Sequence, residues 1–398
     1  MNGELAPLSA AGEKLAGLAH RHAAEFEPAA ARHDVENSFV AENVEAMRAS
    51  RFLAGTVPES FGGLGVRSLH DLAVAVSRLA RGCPATALSA NMHLGAALLL
   101  ARSADAAGLD PAHQRGLRGL LMLLGRCRLV LSHAGTEPGA SLFAPATEAV
   151  PGPDGYRVTG RKSFATNAEV ADVFTVFLRV PGADGEPRAG TAMIRRDTPG
   201  LRVERTWDAL GMRGTGSHDV VFDGCPVPAD AVRVRGRLGV ASAEEWIGVL
   251  AVNYPMLGAY LGIAEAAAER ARQTVRARAR PGSAEQLAEL RLLLTGARSA
   301  LSRTGQLLDE HLAGPLGDGE AEQLMAEFQC AKLILNRAAV DAADLAMAVV
   351  GGRSYRSGDP LSRLYRDARA GGFMQPFSPG EARAFIGAAA LADPGEKC

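Results

Sequence analysis

The sequence predicts an α+β chain in three parts: an N-terminal helical domain (1–127), a central antiparallel β domain (128–236) and a C-terminal helix bundle (237–398). Three observations predict it. Apolar residues recur three and four apart in the first third, as in Leu72, Val76 and Leu79 and again in Ala87, Leu88 and Met92, the spacing of one helix face. From Arg128 to Val234 the texture changes to short β-branched runs, separated at roughly ten to fifteen residues by Gly, Pro, Asp and Asn without intervening helices. After Arg237 long Ala/Leu/Arg-rich segments resume with short connections, as in a helix bundle.

Taken in order, the helical run from Leu8 to Leu124 is broken twice, by the Pro/Gly stretch Val57-Pro58-Glu59-Ser60-Phe61-Gly62-Gly63-Leu64-Gly65 and by Gly82-Cys83-Pro84. Strands are predicted at Val150–Val158, Val173–Val180, Thr191–Ile194, Leu201–Arg205 and Asp219–Phe222, forming a sandwich or barrel. Helices follow at Ala243–Ala279, Ala284–Ala313, Glu320–Val350 and Gly380–Leu391. Arg276-Ala277-Arg278-Ala279-Arg280 reads as a solvated, basic helix end.

Composition narrows the classes. Of 398 residues 47% are apolar and 22% charged, an ordinary globular balance that excludes disordered and collagenous chains. Lys and Arg number 43 against 44 Asp and Glu, a net charge of −1, which leaves no cationic excess for a nucleic-acid backbone. No uninterrupted apolar run reaches membrane-spanning length; the longest apolar helix is expected around Leu94–Ala101, ended by Arg102. The first residues lack a basic, then hydrophobic, export signal, so a cytoplasmic location with no membrane partner is expected. Cys83, Cys127, Cys225, Cys330 and Cys398 are scattered and odd in number, the pattern of free thiols and not of disulfides or a metal site.

Four segments, in this order, resemble signatures of the acyl-CoA dehydrogenase family of flavoproteins: Val57–Gly65; Thr136-Glu137-Pro138-Gly139-Ala140; Gly160-Arg161-Lys162-Ser163-Phe164-Ala165-Thr166-Asn167-Ala168; and Leu210-Gly211-Met212-Arg213-Gly214-Thr215-Gly216-Ser217 leading into Val220–Asp223. The resemblance covers most of the chain. It implies FAD, bound between the β domain and the C-terminal bundle, in a dimer or tetramer. A flavin needs an aromatic or apolar face to stack on and fixed hydrogen-bond partners for its heteroatoms. By resemblance His133, Gly135, Thr136, Phe164, Ala165 and Thr166 line the ring, and Gly351 and Gly352 let the backbone pass close to a cofactor, often a neighbouring subunit's.

The resemblance also implies removal of an α proton from an acyl thioester by a glutamate, a step that needs a positioned base. That position falls on Gln375, which accepts no proton. The alternative family position on the first bundle helix is Val252, beside Asn253, leaving Glu244, Glu245, Glu265 and Glu381 as the nearest carboxylates. Arg278 or Arg280 replaces the usual pyrophosphate anchor, and Ser141-Leu142-Phe143 replaces the usual Ser-Asp; Ser141 and Asn253 are the candidate substrate contacts. Three functions follow. The first is 2,3-dehydrogenation of an acyl thioester carried on CoA or a carrier protein. The second is a flavin-dependent monooxygenase or N-oxygenase of the same fold. Such an enzyme needs no glutamate, and His93, in Asn91-Met92-His93-Leu94, would hydrogen-bond the oxygen-derived species. The third is a non-catalytic member acting as a binding partner.

Overall fold

A computed structural model describes residues 3–105, 111–182 and 184–392; Cys398 lies outside them. The N-terminal part holds α1 (Ala10–Glu36), α2 (Ala41–Ala49), α3 (Leu69–Ala80), α4 (Pro84–Ala104) and α5 (Pro111–Gly125). Ser9 caps α1 by accepting from the Gly12 amide at 3.0 Å, and Asn37 ends it in a left-handed conformation, the usual devices at the two helix ends. Gly12 sits where α1 meets α3: a Cβ there would lie 2.2 Å from the Asp71 carboxylate. Asp71 accepts from the Leu8 amide and the Ser9 hydroxyl, both at 2.6 Å, so one carboxylate docks two helix starts.

The predicted antiparallel β domain is one eight-stranded sheet: β1 (Leu131–Ala134), β2 (Glu148–Gly152), β3 (Gly155–Ala165), β4 (Val173–Pro181), β5 (Pro187–Arg195), β6 (Leu201–Glu204), β7 (His218–Val227) and β8 (Val232–Arg237). Its order is β6-β7-β3-β2-β4-β5-β8, with β1 also on β4. The strand predicted at Val150–Val158 is two, β2 and β3, paired across a turn between Gly152 and Gly155, and the antiparallel expectation fails where β1 runs parallel to β4, His133 opposite Thr175, and β2 meets β4 in the same sense. The cause is local. Asp172, just before β4, accepts from the Val130 amide at 2.7 Å and donates its own amide to Val130 at 2.9 Å, so both strands start from one point. One face of the sheet buries Phe174, Val176, Leu178, Ala192, Ile194 and Val220; strand alternation turns His133, Thr175, Phe177 and Arg235 to the other.

The bundle consists of α6 (Ala243–Ala277), α7 (Ser283–His311), α8 (Asp318–Val350), α9 (Pro360–Arg369) and α10 (Pro379–Leu391). A reciprocal Ser242–Glu245 capping box starts α6. Cβ atoms at Gly258 and Gly262 would fall 2.1 and 2.3 Å from the Ala73 and Ser77 carbonyls, so two glycines let α6 lie directly on α3. This helix, and not Leu94–Ala101, is the long apolar one. Among the described residues it alone has the length and composition to cross a bilayer, yet 83% of its apolar window is buried inside the protein. The helical domains share one continuous core through α3, α4, α6 and α8, and a smaller cluster packs Leu131 of β1 and Val173 of β4 against Ala96 and Ala97 of α4.

Candidate functional site

Two loops meet at the ends of β1 and β3. The Ser163 amide donates to the Thr136 carbonyl at 2.9 Å, bringing Gly135 and Thr136 beside Phe164, Ala165 and Thr166. Phe164 adopts a φ of 57°, a conformation side chains rarely accept, and it projects its ring outward, 60% exposed. Trp207 stands behind it, edge to face, with centroids 5.9 Å apart. Thr166 is buried; its hydroxyl shares a 2.8 Å hydrogen bond with Ser217, which bonds Thr215 at 2.7 Å. Ala165 is fully buried against β7. An exposed aromatic platform beside two polar loops fits an isoalloxazine ring.

The loop itself is held by a buried pair. Lys162 and Glu137 touch, and Glu137 also accepts from the Ala146 and Thr147 amides at 2.6 and 2.9 Å. Burial alone would raise the Glu137 carboxyl, but Lys162 and Thr147 hold it below the usual range. His133 packs edge to face on Phe177, centroids 4.9 Å apart. Burial, with Lys162 and Arg235 adding positive charge, drives it down to about 4, so its ring is neutral at pH 7.

From Thr136 the chain continues to the rim of a cleft of about 580 Å³. Ala140–Phe143 form one side; Asn336 and Arg337 of α8, Arg369 and the Gly372–Pro379 segment form the other. Ser141 and Gln375 therefore face the same space. Asn253 does not line it: its amide donates to the Val249 carbonyl within α6 at 2.9 Å. Gly351 and Gly352 also lie apart, fourteen or more residues past Arg337 on α8, about 20 Å along the helix. A Cβ on Gly351 would touch the Arg280 guanidinium at 3.5 Å, so the two anchors implied by the resemblance meet each other away from this chain's cleft.

Each displaced carboxylate has another task. Glu244 pairs with Arg233 and Glu245 caps α6. Glu265 sits between Arg81 and Arg298 at 2.7 Å from each. Glu381 lines the cleft but accepts from the Ser378 amide at 2.8 Å as the cap of α10, and backbone hydrogen bonding there lowers its pKa. The oxygenase role of His93 is overturned. Its Nε2 lies 2.9 Å from the Leu53 carbonyl, while Nδ1 accepts from the Leu131 amide at 3.1 Å. Both nitrogens join a loop, a helix and a strand, leaving neither for a ligand. Trp207 had no motif to announce it beyond its position just past a short strand, and neither had Lys332 of α8, whose ammonium donates to the Met374 and Phe377 carbonyls on either side of Gln375.

A sheet set between two helical domains, with an aromatic platform at its edge and a cleft toward the bundle, defines an oxidoreductase of the acyl-CoA dehydrogenase-like flavoprotein superfamily. Residues 14–107, 132–225 and 247–375 match the N-terminal, middle and C-terminal domains of acyl-CoA dehydrogenase, and the chain belongs to that family. Its relatives include the amino sugar nitrososynthase DnmZ of Streptomyces peucetius, 36% identical over 95% of this chain and 93% of that protein. The L-evernosamine nitrososynthase of a Micromonospora species is 34% identical over 97% and 92%. Among solved structures, KijD3 in complex with FMN and dTDP-3-amino-2,3,6-trideoxy-4-keto-3-methyl-D-glucose superimposes with a TM-score of 0.92 at 34% identity, covering 98% of this chain and 96% of that one. These relatives favour the oxygenase alternative over thioester dehydrogenation, and the FAD expectation widens to a flavin.

Proposed function

We propose that this chain is a flavin-dependent N-oxygenase acting on the amine of a sugar carried by a nucleoside diphosphate, with FMN as the flavin. The observation that carries the reading is a cleft without a free base: Gln375 stands where the family's glutamate would be, and Glu381 is bound into a helix cap. A carboxylate held below its usual range is a poor proton acceptor for an inert C–H bond. An amine needs no such base, because its own lone pair attacks.

When bound, reduced flavin supplies two electrons and activates O₂. Each turnover balances as amine plus O₂ plus two electrons and two protons, giving hydroxylamine and water; a second takes the hydroxylamine to the nitroso compound and two waters. The chain's part is positional. Phe164 backed by Trp207 seats the ring, the Thr136 and Thr166 loops fix its polar edge, and the cleft between Ser141 and Gln375 orients the sugar and excludes bulk water.

The test is an oxygen-electrode assay of purified protein with a flavin reductase, FMN, NADPH and a dTDP-amino sugar, with products weighed by mass spectrometry. Substrate-dependent oxygen uptake with products one oxygen atom heavier, then oxidised to nitroso, is expected. Anaerobic bleaching of bound flavin by an acyl-CoA, without oxygen transfer to the amine, would restore the dehydrogenase reading.

A further inference from the structure

On the sheet face turned toward the helices, three polar atoms are buried without a hydrogen-bond partner: His133 Nδ1 on β1 and Thr175 Oγ1 on its neighbour β4, and Arg235 Nε on β8, one strand further across β5. His133 and Thr175 are register partners. Phe177, two residues along β4, receives the His133 ring on its edge and the Arg235 guanidinium over its face, 4.8 Å from the centroid. Buried polar groups are almost always paired, so three orphans around one phenyl ring need an explanation.

Arg235 is the most telling of them. Its side chain is 13% exposed, and its nearest carboxylate oxygen, on Glu245, is 4.0 Å away, outside hydrogen-bond reach. Glu245 caps α6 through its other oxygen, accepting from the Ser242 amide at 2.9 Å, and acts on Arg235 only as a nearby negative charge. A guanidinium with five donors in a fixed fork, desolvated and left without a bonded acceptor, is a cation prepared for an oxyanion. Its surroundings disfavour further positive charge: burial, with Lys162 and Arg235 adding to it, keeps His133 neutral. The Ser141–Phe143 segment, whose Leu142 Cδ1 would lie 3.1 Å from a Cβ on Gly135, runs from beside the end of β1 to the rim of the Gln375 cleft.

We infer that Arg235, assisted by His133 and Thr175, forms a phosphoryl-anion subsite that holds the diphosphate of the nucleotide sugar. The inference rests on the nucleotide-sugar reading above. The flavin's own phosphate is the other source of the same chemistry, and the experiment separates the two.

Full-length protein is titrated calorimetrically with dTDP and, separately, with FMN, for wild type, Arg235→Met, Arg235→Lys and Glu245→Gln. Loss of charge-assisted bonds predicts that Arg235→Met binds dTDP about ten- to hundredfold more weakly, with FMN affinity unchanged and Arg235→Lys intermediate. Glu245→Gln removes the competing carboxylate while leaving the guanidinium in place, and it tightens dTDP binding; a guanidinium that serves only as a structural partner of Glu245 gives no gain. A loss confined to FMN keeps the subsite and assigns its phosphate to the cofactor. Unchanged affinity for both ligands in Arg235→Met overturns the inference while the proposed function stands. Failure of the wild type to bind either ligand removes both.

Discussion

Lys332 is the residue whose replacement separates the cleft's geometry from the protein's stability. Its ammonium lies in the bundle on α8, only 2% exposed, and donates to the carbonyls of Met374 at 2.5 Å and Phe377 at 2.6 Å. Those two acceptors bracket Gln375, so the position of that amide depends on this one cation. Burial pushes the lysine down to about 8 from 10.5, with Glu381 opposing the shift. At about 1.4 kcal/mol per unit, keeping it charged at pH 7 costs about 3 kcal/mol. Lys332→Met removes that cost and also loses two bonds to a charged donor worth about 1.5–3 kcal/mol each. The net destabilisation is therefore small, about 0–3 kcal/mol, whereas the loop loses both its tethers. Expected are a near-native midpoint in denaturant, faster amide exchange at residues 372–378 and a lower kcat/KM for the amino sugar. The sign in pH also follows. Between about 8 and 10.5 the unfolded chain carries a proton that the folded chain has released, so Lys332 makes wild-type stability rise across that window, and Lys332→Met lacks the rise. Native loop protection together with unchanged kcat/KM in Lys332→Met would refute the positioning role.

His93 gives the same sign in a more acidic window. It is held neutral at about 4 by burial, so between pH 6.5 and 4 the unfolded chain takes up a proton that the folded chain refuses, and up to about 3 kcal/mol of stability disappears as pH falls. His93→Ala should flatten that acid limb and unfold more easily at pH 7, while bound flavin keeps its spectrum; an intact fold with altered oxygen chemistry would return His93 to the active site. Trp207 and Trp246 are the two tryptophans, and only Trp207 backs Phe164. Flavin binding should therefore quench emission in Trp246→Phe but scarcely in Trp207→Phe, and equal quenching in the two would displace the flavin from the Phe164 platform.

How far the sequence reads depends on what kind of physics carries each feature. Helices and strands were legible because burial periodicity is written locally: Leu72, Val76 and Leu79 are buried in α3, and Val173–Val180 lies within β4. The parallel β1–β4 pair was not, because it depends on one aspartate, Asp172, reaching back more than forty positions to Val130. Thr136, Phe164 and Thr166 were legible as motifs, since turns and positive-φ backbone restrict which residues serve. Lys332 and Arg235 were silent: nothing along the chain distinguishes a lysine that braces a loop from one on a solvated helix face. His93 misled for the same reason, because a histidine on an apolar helix face looks available until Leu53 and Leu131 occupy both its nitrogens.

The fate of the catalytic carboxylate links these levels. A glutamate at position 375 would place a second acid in the cleft that Glu381 lines, beside a loop already fastened by a buried ammonium. The scaffold thus stands without the family's base, since the capping box, the Lys332 clamp and the α3–α6 contact all form with glutamine there. Removing the base abolishes one reaction and leaves the flavin platform intact. That independence is the physical reason one fold can carry thioester dehydrogenation in some members and oxygen transfer in others. Gln375→Glu tests it directly, as the variant should keep the wild-type flavin content and unfolding midpoint within about 1 kcal/mol. A collapse of either would show that the scaffold and the base position are coupled after all.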